Sequence, residues 1–237
     1  MASEVTVTTA LEGEPSAARQ GFALPLFLTR ENKYTVGFVM WILATLLYMT
    51  ANHFPILTPR HLPLWWVDRA IPLIPETIWI YVSEYLFFIA IYVSAKDMVN
   101  TNKYLYSVFA LQFFSVLIFW FWPTVYPREF FPLPEDIDAL TFFMFTWIRT
   151  IDAPTNCCPS LHVSSVFLST FIFLDEQRKK FPFFFLWGTA IAASTLPTKQ
   201  HYLVDVITGF LLAVIFYWIF HRLMAYRPGA RAAQPNR

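Results

Sequence analysis

Charged residues are scarce in this chain: Asp, Glu, Lys and Arg make up 14% of its 237 residues, whereas 57% are hydrophobic and 19% are aromatic. Soluble globular domains carry about 25% charged residues. The composition therefore excludes an ordinary soluble domain, and the length is that of one domain. We expect most of the chain to lie in a membrane and to contact membrane lipids.

Cysteine is also rare. The chain contains 2 cysteines, Cys157 and Cys158, and they are adjacent. A disulfide between neighbours is strained, so this pair indicates no disulfide framework and says little about the redox compartment. With His162 and His201 the cysteines form no familiar zinc-ligand spacing. We expect no metal site and no other cofactor.

Several other features are missing from the sequence. Residues 1–22 contain no apolar stretch of the kind found in a signal peptide, and they mix acidic, Ser, Thr and Ala residues. We predict a disordered cytoplasmic tail there and a second cytoplasmic tail at 227–237. No internal repeat and no break in composition divides the chain, so residues 23–226 are expected to form one membrane domain.

The sequence is dominated by six apolar runs. Several of them approach the roughly 20 residues that a membrane-spanning helix needs, and the fourth and fifth are shorter. Because soluble core strands usually have only about 3 to 10 residues, the pattern predicts an all-α protein, a bundle of six transmembrane helices. The runs cover residues 36–52, 77–94, 104–122, 161–175, 181–196 and 202–221.

The basic residues orient this bundle, since Lys and Arg concentrate in loops on the cytoplasmic side. With the N-terminus inside, 12 of the 17 Lys and Arg residues fall in inner segments and the other 5 fall in outer ones. Both termini are therefore predicted to be cytoplasmic. No basic patch lies outside the inner segments, so nothing supports a nucleic-acid partner.

Two long outer loops follow from this topology. The first, 53–76, is rich in proline, which forbids a continuous helix, and it contains Trp65 and Trp66, which favour the headgroup zone. We expect it to lie on the membrane surface. The second, 123–159, contains a candidate short helix at 139–149.

Two short stretches carry the chemistry. Pro159-Ser160-Leu161-His162 begins the fourth apolar run, and His201 precedes the sixth, with Asp205 four residues later. Residues four apart lie on one helical face, so the carboxylate of Asp205 is placed to orient the imidazole of His201. Two predicted spans separate the histidines, and both therefore fall on the outer face.

These residue types predict phosphoryl transfer. A histidine can attack phosphorus and carry the phosphoryl group, while a second histidine protonates the departing alkoxide. Cations and helix N-termini would stabilise the phosphate oxygens, and the scheme needs no metal. The predicted site residues are His201, His162 and Asp205 for catalysis, and Arg128, Ser160 and Lys199 for phosphate binding.

At these positions the chain resembles the type 2 phosphatidic acid phosphatase superfamily, which also includes vanadium haloperoxidases. The family has the signatures KxxxxxxRP, PSGH and SRxxxxxHxxxD. The second reads PSLH at 159–162 in this chain. The third keeps its spacing, with Ser194, His201 and Asp205 in register and Thr195 in the place of Arg. The resemblance covers roughly residues 60–225.

The first signature is the poorest match. Arg128 fits its Arg, but Phe121 stands where Lys is expected and Glu129 replaces Pro. Together with the change at Thr195, two of the family's phosphate-binding cations are missing. Lys199 is a candidate substitute for one of them.

The resemblance implies a membrane enzyme that cleaves a lipid phosphate, such as phosphatidate or an isoprenyl pyrophosphate, through a phosphohistidine. Head-group transfer to a lipid alcohol is the alternative, because the missing Arg and the stretch around His201 are similar to the inositol phosphorylceramide and sphingomyelin synthase branch. A noncatalytic lipid-phosphate binding module is the third reading. We expect a bacterial inner membrane, with the site on the non-cytoplasmic face.

Other questions stay open at this point. The sequence does not name the lipid or the oligomeric state. Glu84, inside the second apolar run, is a candidate either to touch the site or to hydrogen-bond a neighbouring helix, and the structural role is preferred. Asp68 and Arg69, in the proline-rich loop, are candidates to bind a lipid head group or each other.

Overall fold

A computed structural model of the protein describes residues 22–228, and this part of the chain is mostly helical. The tails predicted at 1–22 and 227–237 lie almost wholly outside the described residues and stay predictions. The α-helices are α1 Lys33–His53, α2 Trp66–Ala70, α3 Ile78–Val82, α4 Glu84–Ser94, α5 Met98–Phe121, α6 Ala139–Ile151, α7 Leu161–Asp175, α8 Phe181–Ser194 and α9 Leu203–Trp218. One turn of π-helix, Ile219–Leu223, continues α9.

The all-α prediction needs one correction, because four short strands are present: β1 Ala23–Leu26, β2 Arg60–His61, β3 Thr124–Val125 and β4 Ala225–Pro228. β1 pairs in parallel with β4, and β2 pairs in parallel with β3. Backbone N–H and C=O groups outside helices need hydrogen-bond partners. In these segments, the backbone groups of one strand bond to those of the paired strand. The β1–β4 pair also holds the segment before α1 and the segment after α9 side by side.

The helices coincide with the predicted apolar runs. Between residues 22 and 228, four helical segments are long and apolar enough to cross a membrane: Lys33–His53, Pro75–Ser94, Met98–Phe121 and Leu203–Leu223. The helices α7 and α8 are apolar but shorter, with 15 and 14 residues. The protein is therefore a helical membrane protein, and the count of six spans remains a prediction.

Contacts between helices fix their directions. α7 and α9 run side by side in the same sense, since the N–H of Ser160 donates to the carbonyl of Asp205 at their beginnings (3.2 Å) and Asp175 meets His221 at their ends (3.1 Å). α5 runs the opposite way, because the amide of Asn100 in its first turn donates to the carbonyl of Ile172 near the end of α7 (2.8 Å).

The remaining long segments complete the bundle. The end of α1 lies beside the loop between α6 and α7, where Asn52 donates to the carbonyl of Ala153 (3.2 Å), and Leu161 at the start of α7 packs against the cluster that contains Ala51. The start of α1 lies at the opposite end, where the ammonium of Lys33 donates to the carbonyl of Ala95 after α4. We call the end of the bundle that contains Asn52 and Ser160 the site end, and the opposite end the far end.

α7 is the central helix of the bundle. Most of its residues are buried, and it packs against α4, α5, α8 and α9. Its small polar side chains bond inside the protein; Ser169, for example, lies 2.9 Å from the hydroxyl of Tyr104. By contrast, α1 exposes large apolar side chains such as Trp41 (54%) and Leu46 (58%). Such surfaces are expected where a helix faces lipid.

Candidate active site

His162 lies in the first turn of α7 at the site end. Ser160 caps this helix: its Oγ accepts a hydrogen bond from the N–H of Val163 (3.2 Å). The His162 ring stacks on the Tyr81 ring at a centroid distance of 4.2 Å. Its Nε2 lies 2.8 Å from Oε2 of Glu84, as an ion-pair contact that is not aligned as a hydrogen bond. The imidazole is thus held between an aromatic ring and a carboxylate.

His201 lies just before α9. Asp205 in the first turn of that helix is fully buried, and its Oδ2 accepts a hydrogen bond from the N–H of Tyr202 (2.9 Å). The same oxygen lies 3.4 Å from Nδ1 of His201. Asp205 therefore both caps α9 and faces the Nδ1 side of the imidazole, which leaves Nε2 of His201 available for chemistry.

The two histidines come together as the sequence indicated. Their ring centroids are 6.3 Å apart, and the side chains of His162 and His201 are only 10% and 11% exposed. Each imidazole has its own buried carboxylate. Contacts of this kind are often long or poorly aligned in the absence of substrate, so the distances are compatible with a catalytic pair.

Arg128 also reaches this site. It lies in a single turn of 3₁₀ helix, Arg128–Phe130, after the strand β3. Its Nη1 donates to the carbonyl of Asp152 (2.8 Å), and its Nη2 donates to the side-chain carbonyl of Gln200, the residue before His201. The carboxylate of Asp152 lies 3.7 Å from Nη2. The guanidinium is therefore attached directly to the loop that carries His201.

Lys199 is directed elsewhere. It is 1% exposed, and its ammonium donates to the backbone carbonyls of Asp68 (2.9 Å) and Ile71 (2.5 Å). The ammonium also lies 4.4 Å from the ring centroid of Phe131. Burial lowers the pKa of Lys199, and the charge of Asp68 opposes this shift. These contacts fasten the loop before α9 to α2, and they give no support to the predicted phosphate-binding role of Lys199.

The other predicted phosphate ligand, Ser160, is fully buried and serves as the cap of α7. Thr195, in the position of the missing signature Arg, is also fully buried, and its hydroxyl donates to the carbonyl of Ala192 (2.7 Å). Neither residue brings a positive charge to the histidines.

Glu84 contacts the site, the alternative that the sequence placed below a structural role; its Oε2 lies 2.8 Å from Nε2 of His162. A carboxylate inside an apolar spanning segment is a functional candidate by default, and this rule could have raised it. The partner of Glu84 could not be read from the sequence, because α4 and α7 are distant along the chain.

Asp68, in contrast, is structural: it accepts hydrogen bonds from the N–H groups of Trp65 (2.8 Å) and Leu203 (2.7 Å). Arg69 is exposed.

The two cysteines flank the site without the properties of nucleophiles or metal ligands. Cys157 and Cys158 are 2% and 6% exposed. Burial raises the pKa of the Cys157 thiol well above its ordinary value and that of Cys158 to about 11. Thiols with a raised pKa are poorly reactive. Within residues 22–228, no group of three or more His, Cys, Asp or Glu side chains is arranged to hold a metal ion.

The described residues thus place two histidines, each facing a carboxylate, and an arginine at one end of a helical membrane bundle. These are residue types that phosphoryl transfer uses. Comparison with known families is in agreement. The sequence model of the PAP2 superfamily matches residues 66–219, and the chain belongs to this superfamily of type 2 phosphatidic acid phosphatases. Phosphatase- and phosphotransferase-type activities are typical of this superfamily.

Similarity to individual proteins is more limited. An uncharacterized protein of Methanocaldococcus jannaschii is 32% identical over 122 residues, which cover 52% of this chain and 48% of that protein. The chain thus spans about half the length of this curated relative. No solved structure matches the chain.

Proposed function

We propose that this protein is a membrane enzyme that cleaves a lipid phosphate through a phosphohistidine on His201. One observation carries the proposal: His162 in the first turn of α7 and His201 just before α9 have ring centroids 6.3 Å apart at the same end of the bundle, and each has a buried carboxylate within ion-pair distance. Two imidazoles this close can act on one phosphate group, one at its phosphorus and the other at its leaving-group oxygen.

In the first step, Nε2 of His201 attacks phosphorus and the bond from phosphorus to the leaving-group oxygen breaks. His162 donates its proton to that oxygen, so a phosphatidate-type lipid leaves as the alcohol and an isoprenyl pyrophosphate leaves as the isoprenyl monophosphate. In the second step, water attacks the phosphohistidine while His162 accepts the proton of the water. Inorganic phosphate leaves, and both histidines return to their starting states.

The carboxylates serve different purposes in this scheme. Asp205 faces Nδ1 of His201 at 3.4 Å and fixes the tautomer in which Nε2 carries the lone pair. Glu84 lies 2.8 Å from His162 and stabilises the imidazolium that must give up a proton in the first step. Arg128, which is bonded to the neighbour of His201, is placed to neutralise charge on the equatorial phosphate oxygens.

The proposal includes the membrane arrangement. We place six crossings in the bundle, both termini on the cytoplasmic side, and the site on the non-cytoplasmic face of a bacterial-type inner membrane. The parallel pairing of β1 with β4 supports an even number of crossings, because it places the segment before α1 beside the segment after α9, on one side of the bundle. The matched direction of α7 and α9 supports counting both short helices, α7 and α8, as crossings.

Release of inorganic phosphate tests the reaction. The detergent-purified protein is incubated with phosphatidate, phosphatidylglycerol phosphate or undecaprenyl pyrophosphate, beside the variants His201→Ala and His61→Ala. His61 is an exposed histidine on β2 and serves as the matched control. We expect release by the wild type and by His61→Ala, at least a hundredfold less release by His201→Ala, as for loss of a catalytic group, and acid-labile phosphate on the wild-type protein.

Two results would redirect the assignment. If phosphate or head group appears on added diacylglycerol or ceramide, with none released to water, the enzyme is a transferase. If no substrate reacts and His201→Ala binds lipid phosphate as tightly as the wild type, the protein is a binding module and the proposed reaction is wrong.

A further inference from the structure

Arg149 near the end of α6 is partly exposed, but two of its three guanidinium nitrogens are buried without a partner. Its Nε and Nη2 atoms each expose less than 1 Å² and make no hydrogen bond within residues 22–228. None of the ion pairs formed by these residues includes Arg149. Buried donors on a charged group are costly to leave unpaired. Such an arginine therefore calls for an explanation beyond packing.

The position of Arg149 connects it to the histidines. Its guanidinium carbon lies 5.4 Å from the ring centroid of Phe145, one turn earlier on the same face of α6. Phe145 belongs to a buried apolar cluster with Tyr81. Tyr81 in turn stacks on the ring of His162 at 4.2 Å. Arg149 thus borders the same layer of side chains that supports the general acid.

A second positive charge lies nearby. Burial lowers the pKa of Arg149, and the charge of Arg128 acts in the same direction. Arg128 is partly balanced by Asp152, and its own Nε is also buried without a partner. Two guanidinium groups that repel each other and keep unpaired donors are stabilised when an anion lies between them, and a guanidinium fork matches the oxygens of a phosphate.

We propose that Arg149 and Arg128 jointly bind the phosphate group of the substrate. Arg149 would supply a cation that the chain lacks at Phe121 and Thr195, where the family signatures carry Lys and Arg. It lies in none of the three signatures and comes from α6, a helix outside the predicted spans. The inference rests on the proposed function, because the histidines define where the phosphate must lie.

Anion binding tests this assignment without any turnover. The detergent-purified full-length protein is titrated with orthovanadate and with inorganic phosphate, and affinity is followed by thermal unfolding and by tryptophan fluorescence. The variants are Arg149→Met, Arg149→Lys and, as control, Arg60→Met, which changes an exposed arginine on β2. Methionine keeps the packing of the apolar stem but removes the charge and the donors.

We expect Arg149→Met to weaken binding of both anions by about 10- to 100-fold, the loss typical of a hydrogen bond to a charged group. Arg149→Lys should recover part of the affinity, because it keeps the charge without the fork. Arg60→Met should change nothing. Without anion, Arg149→Met should unfold at the same temperature as the wild type or a higher one, since two buried donors without partners have been removed.

Three results would overturn the inference: unchanged anion affinity in Arg149→Met, a lower unfolding temperature of that variant without anion, or no anion binding by the wild type. Other results would contradict the proposed function without touching this inference, or the reverse. Arginine-dependent anion binding in a protein that hydrolyses no lipid phosphate keeps the inference and contradicts the reaction. Hydrolysis that needs His201 but shows wild-type KM and kcat in Arg149→Met keeps the reaction and contradicts the inference.

Discussion

At the scale of single residues, the two histidines obtain their carboxylates in different ways. Asp205 is four residues from His201, and the spacing alone predicts the pair; in the structure, the capping turn at the start of α9 brings the two side chains together. Glu84 reaches His162 from another helix, and only the packing of α4 against α7 makes the contact. The first pair is a local property of the chain, whereas the second depends on the whole bundle.

Changing Glu84 to Gln tests the second pair. We expect kcat for phosphate release to fall by about 10- to 100-fold with little change in KM, because the variant keeps the shape but loses the charge that stabilises protonated His162. The measurement is steady-state phosphate release at several substrate concentrations. Glu129→Gln, at an exposed glutamate, is the control. Equal kcat in wild type and Glu84→Gln would show that Glu84 only packs against the histidine.

Lys199 shows the limit of reading charges from a sequence. Its location between α8 and α9 was predictable, but the direction of its side chain was not. The backbone at Lys199 is left-handed (φ 57°), and the ammonium turns to carbonyl groups on and after α2. Arg149, in contrast, was not among the predicted site residues, because nothing in the sequence reveals that its guanidinium donors lack partners.

The variant Lys199→Met should therefore change stability and leave anion binding intact. Two backbone carbonyls lose a charged donor, and we expect the free energy of unfolding to fall by about 1.5 to 3 kcal/mol. Unfolding in detergent monitors the loss, and orthovanadate titration monitors the site. Lys179→Met, at an exposed lysine, should be neutral. A weaker orthovanadate affinity in Lys199→Met would restore this residue to the phosphate site.

At the scale of elements, the apolar runs predicted the long helices well, because a run of this length in lipid has few options besides a helix. The short helix α6 was also expected near its observed position. The break at Ser83 between α3 and α4 and the two parallel strand pairs were not predicted. Both involve partners that are remote in the sequence. The spacing of apolar residues along the chain carries no information about such partners.

The contact between α7 and α9 depends on Gly209. A Cβ at this position would lie 2.5 Å from the carbonyl oxygen of Ser160 and 3.2 Å from Cβ of Val163. Because the nearest atom belongs to the backbone, a side-chain movement cannot relieve the clash. The two helices must separate, and with them the two halves of the site.

Gly209→Ala should therefore lower both stability, by about 1 to 3 kcal/mol as for other overpacked sites, and kcat. Gly37→Ala is the matched control, since its Cβ would meet the Tyr92 ring, a side chain that lies away from the histidines. We expect that variant to lose stability at most. Thermal unfolding and phosphate release are measured on each protein, and an unchanged kcat in Gly209→Ala would mean that this helix contact does not position the site.

At the scale of the whole molecule, the proposed six crossings put the site end and the far end on opposite sides of the membrane. Single cysteines at Arg60 and Glu129 would mark the site end, and single cysteines at Lys96 and Lys179 would mark the far end; all four positions are exposed. The background carries Cys157→Ala and Cys158→Ala.

We expect a membrane-impermeant maleimide to label the first two positions in intact cells and the other two only after permeabilisation. The reason is the basic residues, which favour the cytoplasmic side for the far end. Labelling of positions 60 and 179 from the same side would contradict an odd number of crossings between them. Reversed labelling would keep the bundle and invert its orientation.

The shortness of α7 has a consequence for where the reaction takes place. A helix of 15 residues is about 22 Å long, whereas the hydrocarbon core of a bilayer is about 30 Å thick. If its far end lies at one surface, the imidazole at its beginning lies several ångströms below the headgroup plane of the other leaflet. For the phosphorus of a lipid to reach His201, either the lipid must move deeper into the membrane or the leaflet must become thinner around the protein. Turnover would accordingly vary with the acyl-chain length of the host bilayer, and shorter chains would bring the headgroups to the enzyme.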